Sequence, residues 1–218
     1  MTNTMTTCSH PLHRYSLRIY TLLAIVLLSL LAGCAVSPPT PSIARQHGMW
    51  KQQQARLEHL QKWKINGKVG FRSPKQNQSA NLDWTQNGQH YLMMVSGPFG
   101  VGRNTLVGQP GNVSLQNGNG TFNAPTAEDL MEQQLGWSLP VSALNSWIKG
   151  EATPDSPSHF TYDRLGFPQT LQQNGWTIHY EQWSYAGTYW LPGRLKLSYG
   201  DISVIFVITQ WQPDHTGN

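Results

Sequence analysis

Charge is the scarcest commodity in this sequence. Only 12% of its 218 residues are Asp, Glu, Lys or Arg, where an ordinary soluble domain carries about a quarter. The lysines and arginines are scattered, with no basic cluster of the kind that binds nucleic acid, so no nucleic-acid partner is expected. Cysteine is nearly absent: Cys8 and Cys34 are the only two, too few for a disulfide framework or a thiolate metal site in the body of the chain. The longest near-continuous apolar run covers about 12 residues, 20–31, well short of the ~20 needed to span a bilayer as a helix. Catalytic signatures are missing too. There is no Gly-x-Ser-x-Gly elbow, no glycine-rich phosphate loop and no His-Glu-x-x-His. No enzyme activity, metal or cofactor is expected.

The apolar run follows Arg14 and Arg18 and ends in Leu31-Ala32-Gly33-Cys34. A basic segment, an apolar segment and a small-residue cleavage site make a secretory signal. A cysteine directly after Leu-Ala-Gly resembles the lipobox of bacterial lipoproteins, in which cleavage precedes the cysteine and its sulfur is acylated. The alternatives are an uncleaved anchor and a plain signal with an incidental cysteine. On the lipoprotein reading, 1–33 is a signal peptide, Cys34 carries the lipid, and 34–42 is an extended tether containing Pro38, Pro39 and Pro41. Residues 43–218 then form one domain, with no cofactor beyond the covalent lipid. Removing Arg14 and Arg18 lowers the formal net charge from +4 to +2.

Aromatic residues are plentiful, with nine tryptophans and eight tyrosines. They supply a large core and leave aromatic surface for apolar ligands or membrane interfaces. A helix is expected over about 43–62, with Trp50, Leu57 and Leu60 on the face that packs on the domain. From Trp63 the period becomes two. Strands are expected at 63–71, 79–85, 90–95, 104–107, 113–116, 169–173, 176–182, 194–199 and 202–210, with Asn87-Gly88 as a hairpin turn. Two helices interrupt them. One is capped by Thr126 with Glu128 and Asp129 in its first turn; the other carries Val141, Leu144, Trp147 and Ile148 and stops at Gly150.

This pattern predicts a mainly β (α+β) domain, an incomplete antiparallel β-barrel whose helices cover the open mouth. The strands at 91–95 and 204–208 are apolar on both faces. They are either covered on both sides or line an apolar cavity with one. Trp84, Tyr91, Met93, Met94, Trp176, Tyr180, Leu195, Leu197 and Phe206 are the candidate lining, with the inward face of each strand left open. The turn Gly97-Pro98-Phe99-Gly100 carries a phenylalanine where polar residues are usual. Its ring either folds back onto the core or projects as a probe for acyl chains or a bilayer.

Several of these stretches together resemble the LolB family of outer-membrane lipoprotein receptors. The resemblance rests on the lipobox, the amphipathic first helix, Trp84-Thr85-Gln86-Asn87-Gly88 leading into Gly-Pro-Phe-Gly, and Gly136-Trp137-Ser138-Leu139-Pro140-Val141 followed by Leu144-Asn145-Ser146-Trp147-Ile148-Lys149-Gly150. It implies an incomplete barrel with a helical lid around an acyl-binding cavity, and a hydrophobic residue on a protruding loop, here Phe99 where the family often has leucine. It also implies a monomeric, lipid-anchored protein on the periplasmic face of the outer membrane. Such a protein accepts acylated lipoprotein cargo from the periplasmic carrier LolA and passes it to the membrane. A structural lipoprotein scaffolding an envelope complex and an envelope hydrolase are the competing classes.

Overall fold

The computed structural model describes residues 43–136 and 138–214. The expected signal, the tether, Cys34 and Trp137 lie outside the described residues. Eleven strands form one antiparallel sheet: β1 (Lys62–Arg72), β2 (Asn77–Asn87), β3 (His90–Ser96), β4 (Asn104–Gln109), β5 (Asn112–Asn117), β6 (Gly120–Ala124), β7 (Ser158–Tyr162), β8 (Pro168–Gln173), β9 (Trp176–Ala186), β10 (Tyr189–Tyr199) and β11 (Ile202–Pro213). The spatial order is β6-β5-β4-β3-β2-β1-β11-β10-β9-β8-β7. β6 and β7 end the order without pairing to each other, so the barrel is incomplete, as expected.

Among the described residues three α-helices accompany the sheet: α1 (Met49–Glu58), α2 (Ala127–Leu135) and α3 (Val141–Trp147). Helix α1 is shorter than the expected 43–62. Gly48, at φ 84°, turns the chain immediately before it, and Lys62 is already paired in β1 with Asn87. Its apolar stripe packs inward as anticipated, with Trp50 and Leu57 buried, and Leu60, just past its end, is buried as well. Gln53 is buried among them. Its amide accepts from the Trp190 N–H at 2.7 Å and donates to the Trp190 carbonyl at 2.8 Å, acting as a strand partner for the start of β10.

Thr126 caps α2 by accepting from the Asp129 N–H at 3.1 Å. Pro140, which precedes α3, offers no capping side chain. Glu128 of α2 supplies an acceptor there, taking the Ser142 N–H at 3.0 Å and its hydroxyl at 2.8 Å. The two helices are thereby tied together. Buried Trp147 and Tyr180 fasten α3 to the sheet: the Trp147 indole N–H donates to Gln173 at 2.8 Å, and the Tyr180 hydroxyl donates to the Trp147 carbonyl at 3.0 Å.

The antiparallel register sorts every strand terminus to one of two ends. One end gathers the β1–β2, β3–β4, β8–β9 and β10–β11 connections; the other holds the start of β1 and the β2–β3 and β9–β10 turns. Side chains alternate across each strand. The inner face is therefore Trp63, Ile65, Val69 and Phe71 on β1, and Tyr91, Met93 and Val95 on β3, all part of or packed on the main core.

Candidate functional site

The inner face has two unlike regions. Over β8–β11 it is solid. Ile178, Leu195 and Leu197 have 0% exposure, and Phe206 has 2%. A side chain with no accessible surface borders no space large enough for water. Of the candidate lining residues, Trp84, Trp176, Tyr180, Leu195, Leu197 and Phe206 belong to this packed core. They are held by one another and by α1 and α3. Trp63 meets Trp84 edge-on at 4.8 Å between centroids, and Tyr180 lies 5.7 Å from Trp183.

Over β3–β6 the inner face is only partly covered. Met93 faces Leu106, Leu106 faces Leu115, and Leu115 faces Phe122, one unbroken row across four strands. All four are half-buried. At ~4.8 Å per strand the row is about 14 Å wide. Helix α2 covers Val113 and Ala124, toward the end where the β2–β3 turn lies, and packs Leu130 against them. The row itself packs against this cluster and keeps only part of its surface accessible, as do Val69, Phe71 and Val95 toward the opposite end. Sequence reasoning named Tyr91 and Met93 from this region and missed the rest. Val69 and Phe71 share the parity of Trp63 and Ile65, which would have found them. Met94 is a correction: alternation places it on the outer face of β3, opposite Asp83 and Thr105, so it cannot line the same surface as Met93.

Tyr91 lies flat over Gly108, where any Cβ would collide with the ring. Burial pushes its phenol up to about 12, with the Glu128 carboxylate adding to the shift. The ring thus closes the row on the α2 side.

The β3–β4 connection settles the orientation of Phe99. Its ring does not fold back; exposure is 104%. Val101, two residues on, is 72% exposed. The loop is tied at its root: the Gly97 N–H donates to the Val101 carbonyl at 2.8 Å, the Gly100 N–H to the Gly97 carbonyl at 3.1 Å, and the Asn104 amide to the Gly102 carbonyl at 2.9 Å. Phe99 itself sits at φ 57°, ψ 20°, the left-handed region that a bulky residue occupies at a cost. The loop leaves the end of the sheet at which half-buried Val69, Phe71 and Val95 lie.

Among the described residues, no three of His, Cys, Asp and Glu gather closely enough to hold a metal ion, and no helix is long and apolar enough to cross a membrane. A concavity of about 390 Å³ at the β8–β9 turn, lined by Pro157 and 172–177, is open and mostly polar, unsuited to an acyl chain.

An open antiparallel sheet with an apolar, partly lidded inner face defines the class of fold. A solved protein of the DUF1329 family from Desulfovibrio piger is similar in fold, with TM-score 0.50 and 5% identity over 75% of this chain and 91% of that one. The family model described as outer membrane lipoprotein LolB matches residues 61–211. The outer-membrane lipoprotein LolB of Chromohalobacter salexigens is 49% identical over 87% of this chain and 89% of its own, and that of Pseudomonas aeruginosa strain PAO1 is 41% identical over 92% and 100%. This chain belongs to the LolB family of outer-membrane lipoproteins.

Proposed function

We propose that this protein is a non-catalytic acceptor of lipoproteins. It takes acylated cargo from a LolA-type periplasmic carrier and passes it to the outer membrane, on whose periplasmic face a lipid on Cys34 holds it. The observation that carries this reading is the pairing of two apolar features on the same strands: β3 and β4 carry the half-buried row through Met93 and Leu106, and their connection carries the fully exposed Phe99. An acyl chain costs about 0.8 kcal/mol per CH₂ to expose to water, so a handover needs an apolar surface continuous from acceptor to membrane. The row over β3–β6 would hold the chain, and Phe99 would enter the bilayer at the point of release. Family membership supports the sorting role.

The test is depletion in the native host followed by complementation. Depletion should make lipoproteins accumulate on the carrier and be missing from the outer membrane. Complementation with Phe99→Glu should leave cargo bound to this protein and undelivered. Normal lipoprotein sorting in depleted cells would overturn the function, and normal delivery by Phe99→Glu would overturn the role of the loop.

A further inference from the structure

Cations scattered along the sequence are brought by the fold to the end of the sheet that carries the Phe99 loop. Lys68, on the outer face of β1, stands opposite Asn81 of β2, and the Asn81 amide donates to the Gly97 carbonyl at 3.4 Å. One strand, β2, therefore separates Lys68 from the root of the loop. Arg72 ends β1 on the same face four residues farther on, and Lys75 sits in the turn between Arg72 and Asn77. Arg103 belongs to the loop, and its guanidinium comes 4.0 Å from where a Cβ on Gly100 would stand. All four are exposed. The ion pairs among the described residues engage Arg45, Lys149 and Arg194 instead. Asp155, ahead of β7, and Asp201, in the β10–β11 turn, are the carboxylates in the connections of this end, so positive charge is in excess.

Exposed apolar side chains beside unpaired cations suit a bilayer surface. The apolar groups enter below the headgroups while the cations stay at the level of the phosphates. We propose that Lys68, Arg72, Lys75 and Arg103 form a collar that recognises anionic phospholipid headgroups and directs the Phe99 loop into a leaflet that carries them. This rests on the reading of Phe99 as the membrane-contacting residue. The collar adds lipid selectivity, which an apolar tip alone does not provide.

The test uses the full mature, acylated protein reconstituted in vesicles. An environment-sensitive fluorophore is attached at Val101→Cys, since the expected processing leaves no other free thiol. Vesicles are phosphatidylcholine alone or with one quarter phosphatidylglycerol. The inserted fraction of the label should be several-fold greater with the anionic lipid, and the difference should vanish at high salt. Replacing the four collar residues by glutamine should abolish the difference while leaving insertion into neutral vesicles unchanged. Replacing Lys51, Lys62, Lys64 and Arg164 by glutamine removes the same charge elsewhere and should preserve it. Equal insertion into both compositions would overturn the collar and leave the role of Phe99 standing. No insertion into either would overturn both.

Discussion

Phe99 holds a conformation that works against its own stability. Left-handed backbone costs a bulky L-residue about 1–2 kcal/mol, whereas asparagine enters this region readily. Phe99→Asn should therefore stabilise the domain by about 1 kcal/mol, raising the melting temperature by roughly 2–4 °C for a domain of this size, while delivery of cargo falls. A thermal melt paired with a delivery assay checks both halves, and unchanged delivery would show that the aromatic ring is dispensable. Tyr91 makes a second prediction at this scale. Its phenol is held at about 12 in the folded protein, against about 10 in an unfolded chain. The unfolded state therefore loses its proton first. Stability from this residue is intact below pH 10 and declines as pH rises toward 12. Tyr180, buried and raised by the same cause with Glu151 adding to it, contributes in the same direction. Denaturation midpoints from pH 9 to 12 should fall, and Tyr91→Phe should shallow the fall.

At the scale of elements, α1 is held to the sheet by more than its apolar stripe. Gln53 supplies both missing hydrogen bonds of Trp190. Gln53→Leu would leave a buried N–H and a buried carbonyl unpaired, each costing about 1–3 kcal/mol. The urea midpoint should drop by an amount equivalent to roughly 2–4 kcal/mol at unchanged slope; a drop under half a kcal/mol would mean that water replaces the amide. Nothing in the sequence announces that role, because a lone glutamine on an amphipathic helix reads as solvated. The elements themselves were largely legible: all nine expected strands exist, and the Thr126 cap and the stop at Gly150 are where residue type puts them. Two strands were not legible. β6 offers one bulky apolar residue, Phe122, between glycine, threonine and asparagine, and β7 alternates only Phe160 and Tyr162. Both are outermost strands with a single neighbour. Their pairing is fixed by the strand beside them more than by their own pattern.

At the scale of the molecule, alternation was visible in the sequence but its phase was not. Period two tells which residues share a face and leaves open which face is inner. That is why Met93 and Met94 were named together and the structure separates them. Packing density was equally hidden: Leu195 and Leu106 read alike as strand leucines, yet one is sealed and the other is half-open. What distinguishes them is the placement of α1, α2 and α3, a long-range outcome that local pattern does not encode. On the proposed function the half-buried row is the acyl-accepting surface and Phe99 its outlet. The most direct test mixes a purified carrier–lipoprotein complex with vesicles bearing the acylated protein, and follows the lipoprotein by flotation. The lipoprotein should leave the carrier and float with the vesicles, and Leu106→Glu should leave it on the carrier. A lipoprotein that stays with the carrier in the presence of the unaltered protein, or that transfers equally well with Leu106→Glu, would contradict the account.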